Sequence, residues 1–309
     1  MEGDSIDLVY VLGSGSAWEN NEMRYSLRSV EKNLAGVRNV YVVGENPGIF
    51  SDKVFHIYYP DLLKQNADGN MARKILRACQ ENALSDNWLF MNDDFIINKP
   101  MVASEIPWLD KGDMAKHPPS HWNNNLYRRR LRRTYDVLKN RGYKTMQYDY
   151  HAPMLMNKHA FQDVMALFDF EDHIGYTFRS LYGNVMELPS IHLDGQKVTI
   201  YRHYDTDTLR EYVHDAWFVG YNDSGLNASL KLWLKHTFPE KSKYERPTIE
   251  VTKSEAVAKW FASGCDYLDG IAIFARFTER NKPFVKYLQS RHNEVSEKRL
   301  KIALQSWLR

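Results

Sequence analysis

The sequence is short of several features that would place it at once. It has two cysteines, Cys79 and Cys265, far apart and without the close spacing of a zinc or iron–sulfur site. A lone pair of that kind is poor support for an oxidising compartment. No run approaches the ~20 apolar residues that a membrane-spanning helix needs. The opening Met1-Glu2-Gly3-Asp4 is acidic where an export leader carries a basic region and then an apolar stretch. These absences predict a soluble, reduced, cytoplasmic protein. An excess of one charge is missing too: 41 Lys and Arg against 39 Asp and Glu leave +2 over 309 residues, so any electrostatic message lies in local clusters. No internal repeat, low-complexity segment or complete dinucleotide or P-loop fingerprint is present.

Core-forming material is plentiful, at 43% hydrophobic and 13% aromatic residues. Ile6 to Leu12 is a β-rich apolar run stopped by Gly13-Ser14-Gly15-Ser16, which predicts a buried strand opening into a loop whose backbone N–H groups can approach a nucleotide or phosphate. From Asn21 to Leu34, Met23, Leu27, Val30 and Leu34 form one helical stripe. Val37 to Val43 and Val54 to Tyr59 read as strands, and Asn70 to Ala83 as a helix. Strand, helix, strand with short links is a βαβ opening, which implies a parallel sheet with ligands at the strands' carboxyl ends. Asn87 to Met91 is then a strand that delivers Asn92-Asp93-Asp94. Neighbouring side chains of an extended strand point to opposite faces, so the two aspartates share a site only if the strand ends there. A polar turn and a divalent-cation site are both compatible with that pair.

Further on, Tyr127-Arg128-Arg129-Arg130-Leu131-Arg132-Arg133 predicts an amphipathic helix with a cationic outer face. Arg128, Arg129, Arg132 and Arg133 suit either solvent or a polyanionic acceptor such as nucleic acid. His151 precedes Ala152-Pro153, where a histidine can be presented to a cleft, and Arg179 lies among apolar residues that favour a buried anionic partner. Ala216 to Tyr221 runs into Asn222-Asp223, echoing the stretch around Asp93. After Pro247 the character changes: Thr252-Lys253-Ser254-Glu255 has the spacing of a helix capping box, and further helices are expected over 266–280 and 294–308.

These blocks, in this order, resemble the stealth family of sugar-phosphate transferases. Asn21 to Lys32 with Val37 to Val43 resembles the family's first block, and Leu89 to Phe95 the end of its second. His151 through Arg179-Ser180 resembles the third, and Tyr221-Asn222-Asp223 with Phe238 to Glu245 the fourth. The family's first strand ends in an Asp-Gly-Ser-Asp-like loop; Leu12-Gly13-Ser14-Gly15-Ser16 here lacks both acids. The resemblance implies an α/β, GT-A-like (Rossmann-like) transferase core over 1–247 with a small α-helical appendage over 248–309. It implies a nucleotide diphospho-sugar donor, a glycan or other hydroxyl acceptor, and transfer of a sugar 1-phosphate. By position, Glu22, Asp94, His151 and Arg179 are the expected catalytic residues, and Asp93, Asp94 and Asp223 the expected ligands of Mg²⁺ or Mn²⁺. Donor contacts are expected from Gly13, Ser14, Gly15, Ser16, Arg24, Arg28, Asn70 and Arg73. Losing Asp94, His151 or Arg179 is expected to cost on the order of 10² in rate and to spare the fold. Two alternatives remain: transfer of the sugar alone to a glycan or modified DNA, and a non-catalytic module that binds a sugar nucleotide or polyanion.

Overall fold

The computed structural model describes residues 5–16, 18–122 and 125–246; the helical appendage expected over 248–309 lies outside them. In chain order the elements are β1 (Ile6–Leu12), α1 (Asn21–Asn33), β2 (Leu34–Ala35), β3 (Val37–Gly44), β4 (Val54–Tyr58), α2 (Ala67–Cys79), β5 (Asn87–Asn92), β6 (Phe95–Ile97) and β7 (Met101–Val102). There follow α3 (Leu126–Asn140), β8 (Met154–Asn157), α4 (Lys158–Ala166), α5 (Phe178–Val185), β9 (Lys197–Ile200), α6 (Thr206–Val213), β10 (Phe218–Tyr221) and α7 (Ala228–Thr237).

All seven residues of β1 are buried, and parallel partners flank both its edges. The main sheet has the order β4-β3-β1-β5-β8, with only β8 antiparallel. The chain winds from β1 towards β3 and β4 and then crosses back to β5, so the order reverses between β1 and β5. In open α/β sheets, ligands bind in the crevice at such a reversal, outside the strands' carboxyl ends. The expected α/β architecture with a parallel-dominated sheet is therefore what the chain forms. At the opposite end of the strands, Asp7 is buried and accepts from Arg38 (2.9 and 2.6 Å) and from the N–H groups of Ser85 and Asn39 (2.7 and 3.1 Å). Burial pushes its pKa up, but Arg38 and Ser85 more than offset this and hold it below the usual carboxylate range.

The second sheet, β6-β10-β9, is where the chain goes after the Asp93-Asp94 turn. Alternation along β6 divides it between two cores: Phe95 and Ile97 enter the main one, and Ile96 joins Val198, Ile200, Val219 and Leu230 in the other. The edge of β6 away from β10 is capped by α1: Ser26 Oγ donates to the Phe95 carbonyl (2.6 Å), Ser29 Oγ accepts from Ile97 N–H (3.0 Å), and Asn33 Nδ2 donates to the Ile97 carbonyl (2.7 Å). Met23, Leu27 and Val30 of the predicted stripe are fully buried on the same helix.

Two local departures have physical causes. The helix expected to start at Asn70 begins at Ala67, because Asn66 caps it by accepting from Gly69 N–H at 2.7 Å; that cap outweighs the helix-breaking tendency of Gly69. It ends at Cys79, not Ala83, since Gln80 and Glu81 already turn back onto Arg77 and Ala78. Arg24 and Arg28, expected to reach a donor, both grip the buried Glu245: Arg24 Nη1 at 3.1 Å, Arg28 Nε and Nη2 at 2.7 and 2.9 Å. Glu245→Gln is thus expected to destabilise the fold by about 3 kcal/mol or more, because two guanidinium groups lose their shared anion. A lowered urea midpoint with an unchanged slope checks it.

Candidate functional site

β5 ends at Asn92, the chain turns sharply over Asp93 and Asp94, and Phe95 starts β6 in the other sheet. The turn frees both carboxylates from strand alternation and places them at the sheet reversal. Two cavities meet there, sharing Asn92 and Asp93 as a wall. The larger, about 420 Å³, lies over the carboxyl end of β1 and the start of α2, with Gly13, Asp61, Asn70 and Lys74 among its lining. The smaller, about 290 Å³, is acidic, with Glu22, Asp93, Asp94 and Asp223 around it beside Gly15, Ser16, Asn92 and Tyr221.

Glu22 is oriented by Ser16, whose Oγ donates to Glu22 Oε2 at 2.9 Å and accepts from the N–H groups of Trp18 and Asn20. The loop after β1 therefore shapes the start of α1 as well as the cavity. The carboxyls crowd one another. Burial, then Asp94 and Glu22, push the pKa of Asp93 well up; burial also raises that of Asp94, against the pull of Arg179, Lys197 and Asn92. Asp94 Oδ1 and the Tyr221 hydroxyl are buried without a hydrogen-bond partner. An unpartnered carboxylate oxygen is costly to bury and suits a cation or a donor supplied by a ligand.

Against the other side of Asp94 stands a cationic group. Arg179 is 2% exposed and packed on Phe90, Phe178 and Phe95, its Cζ 4.8, 5.1 and 5.8 Å from the ring centroids. It donates to Asn92 Oδ1 at 3.4 Å and lies 3.9 Å from Asp149 Oδ1, leaving its Nε without a partner. Lys197, on β9, donates to Thr199 Oγ1. Burial, then Lys111, bring its ammonium down to about 8, with Asp94 acting the other way and Arg179 adding to the fall. His151 has a left-handed backbone (φ 53°), uncommon for a residue with a side chain, and its ring meets Phe95 edge-on at 6.4 Å. Burial of the ring, then Arg179, Lys111 and Lys197, push its pKa down. The imidazole is therefore neutral around neutral pH.

The expected catalytic residues Glu22, Asp94, His151 and Arg179 thus converge on one turn, as do Asp93 and Asp223. Of the expected donor contacts, Gly13 and Asn70 line the larger cavity and Gly15 and Ser16 the smaller. Asn70 also holds the loop above it, accepting from Leu62 and Leu63 N–H at 3.1 and 2.9 Å. Ser14, Arg24, Arg28 and Arg73 line neither cavity. Arg73 pairs with Glu171 (2.7 Å) and the Tyr59 hydroxyl (3.0 Å). The arginine helix is α3, and one of its arginines, Arg130, is turned inward while others are engaged at the surface. Arg130 is buried, donating to Asp68 (2.6 Å) and the carbonyls of Ile174 and Gln65; Arg132 pairs with Asp136, and Arg133 with Asp172. Arg128 donates to the His121 carbonyl, and Arg129 is exposed.

Lys111, Lys197, Lys74 and Tyr221 are the functional candidates that sequence reasoning passed over. Lys74 is buried beneath the larger cavity, donating to the Leu12 carbonyl at 2.9 Å and to Asp61 at 2.5 Å. An unpaired-looking lysine inside the predicted second helix was the available signal.

No family model and no curated protein matches the chain. Among solved structures it is similar to a crystal structure of a glycosyltransferase involved in the glycosylation of the major capsid of PBCV-1, at a TM-score of 0.38 and 15% identity, over 75% of this chain and 98% of that one. So slight a likeness assigns neither chemistry nor substrate.

Proposed function

We propose that the chain is a nucleotide-sugar-dependent transferase that moves a sugar 1-phosphate from a nucleotide diphospho-sugar to an acceptor hydroxyl. The observation that carries this reading is the meeting of acids and cations at one turn at the sheet reversal: Glu22, Asp93, Asp94 and Asp223 around one cavity, with Arg179 and Lys197 acting on Asp94. The order of motifs resembling the stealth sugar-phosphate transferases supports it.

In this scheme the donor lies across the Asn92-Asp93 wall, its nucleoside in the larger cavity and its diphosphate between the two. The acceptor oxygen attacks the sugar-linked phosphorus, the bond from that phosphorus to the bridging oxygen breaks, and a nucleoside monophosphate leaves. The acceptor's proton passes to a carboxylate of the turn. A carboxylate not engaged by a cation takes it, since a bound divalent ion lowers the proton affinity of its own ligands. His151, neutral, accepts a hydrogen bond from the same hydroxyl in this scheme. Arg179 and Lys197 stabilise the non-bridging oxygens, where charge collects.

Among the described residues no group of three or more His, Cys, Asp or Glu is arranged to enclose a metal ion. Mg²⁺ needs less, because it is commonly held by one or two carboxylates together with substrate phosphates and water. Asp93 and Asp94, with the unpartnered Asp94 Oδ1, fit that demand, and Asp223 stands on the same cavity. A bound Mg²⁺ or Mn²⁺ would neutralise charge on the diphosphate.

Incubating the protein with a panel of nucleotide sugars and Mn²⁺, followed by chromatography of the released nucleotide, tests the reading. The expected product is the nucleoside monophosphate. Diphosphate as the sole product establishes simple glycosyl transfer instead, and nucleotide that binds without being consumed establishes a binding module.

A further inference from the structure

We propose that three tyrosines on the lip of the acidic cavity, Tyr201, Tyr204 and Tyr212, form with Arg202 a platform that binds the sugar rings of a neutral glycan. This rests on the reading above in one respect, that the glycan carries the acceptor hydroxyl.

The lip is built by the ends of β9 and β10. Ile200 closes β9 opposite Tyr221. Asn222 N–H donates to the Ile200 carbonyl at 3.3 Å, and Asn227 Nδ2 donates to the Arg202 carbonyl at 3.2 Å. Gly225 lies so close beneath that a Cβ there would come within 1.9 Å of the Ile200 oxygen, so only glycine allows the two loops to meet. Tyr221, Asn222, Asp223 and Leu226 line the cavity itself. The backbone that carries the tyrosines is therefore tied to the cavity wall.

Tyr201 is 53% exposed and Tyr212 40%, an unusual display of aromatic surface in one small region. Tyr204 and Tyr212 stack with ring centroids 5.2 Å apart and planes 17° apart. The Arg202 guanidinium lies 5.1 Å from the Tyr204 centroid and 5.9 Å from that of Tyr201. Rings held in this way present electron-rich faces at low conformational cost, together with hydroxyls and a guanidinium that can hydrogen-bond. Sugar rings offer the complement: C–H faces that lie flat on aromatic rings, and hydroxyls at their edges. The surrounding charge argues against nucleic acid. Asp205, Asp207, Glu211 and Asp215 are all exposed, whereas the arginines of this segment are Arg202 and Arg210, and Arg210 is engaged with Asp207. A phosphate backbone would be repelled there.

Affinity electrophoresis of the full chain through gels containing dextran, mixed-linkage β-glucan, galactomannan or xylan is the test. At least one of the four is expected to retard the protein. The double variant Tyr201→Ala/Tyr212→Ala, which alters two exposed side chains, is expected to bind that polysaccharide about tenfold more weakly, and Tyr212→Trp to keep binding. No retardation by any of the four, equal retardation of the double variant, or retardation by single-stranded DNA alone overturns the proposal. Nucleotide release from the donor panel, run beside it, separates the two claims: a failed platform leaves nucleotide release intact, and a failed transferase reading leaves the retardation intact.

Discussion

Asp93→Asn is expected to lower turnover by about 10² or more and, without divalent cations, to gain stability relative to the wild type as the pH rises from about 5 to 8. Asp93 sits in partial burial beside Asp94 and Glu22, and its pKa is raised. A carboxyl whose folded-state pKa exceeds its unfolded value contributes fully at a pH below the unfolded value, and that contribution is lost as the pH rises through the folded one. Asparagine cannot ionise, so it escapes the loss. His151 shifts the opposite way, but it is common to both proteins and cancels in the difference. In thermal unfolding the gap should widen with pH, by about 2–4 °C in Tm for each kcal/mol of repulsion relieved. Adding Mg²⁺ or Mn²⁺ should reverse the sign, stabilising the wild type above pH 7 and leaving the variant unmoved, since the ion replaces the repulsion with attraction. A wild-type Tm indifferent to both ions would remove Asp93 as a metal ligand.

Arg179→Ala carries the second large effect, and here the expectation that the fold would be spared needs correction. The guanidinium is buried against three phenylalanines and faces the buried Asp149, which also accepts from Ser180 Oγ at 2.7 Å. Removing it strands a carboxylate in the interior, at a cost of about 3–5 kcal/mol. Lost activity in the alanine variant would therefore be ambiguous. Arg179→Lys separates the roles: it keeps a positive charge near Asp149 and loses the planar fork that can hold phosphate oxygens. Its expected profile is a stability loss well below that of the alanine variant, read from urea midpoints, with turnover still down by about 10². Near-normal turnover in Arg179→Lys would remove the fork from the scheme.

Much of this was legible in the sequence, for a definite reason. β1, α1, β3 and β5 are local patterns, and the acidic pair could share a site only at a strand end, which is where the chain places it. Side chains whose roles depend on distant partners were not legible. Lys197 alternates along β9 with Val198 and Ile200, a pattern that reads as an exposed lysine; pairing of β9 with β10 instead turns it towards Asp94. Glu245 falls in a motif block, yet its function is to hold Arg24 and Arg28, more than two hundred residues earlier in the chain. Asn66 was masked by Gly69, whose conformational cost is local whereas the cap's benefit depends on the loop geometry.

The central position of β1 also governs when the molecule can become competent. Its first residues pair with Val37 on one side and Trp88 on the other, and Tyr221 reaches the acidic turn only through β6, which lies antiparallel to β10. Contacts so remote in sequence close late and slowly during folding. The larger cavity draws its whole lining from Val11 to Asp93, whereas the acidic one also needs Tyr221, Asn222 and Asp223, so the acidic half of the site is the later of the two to form.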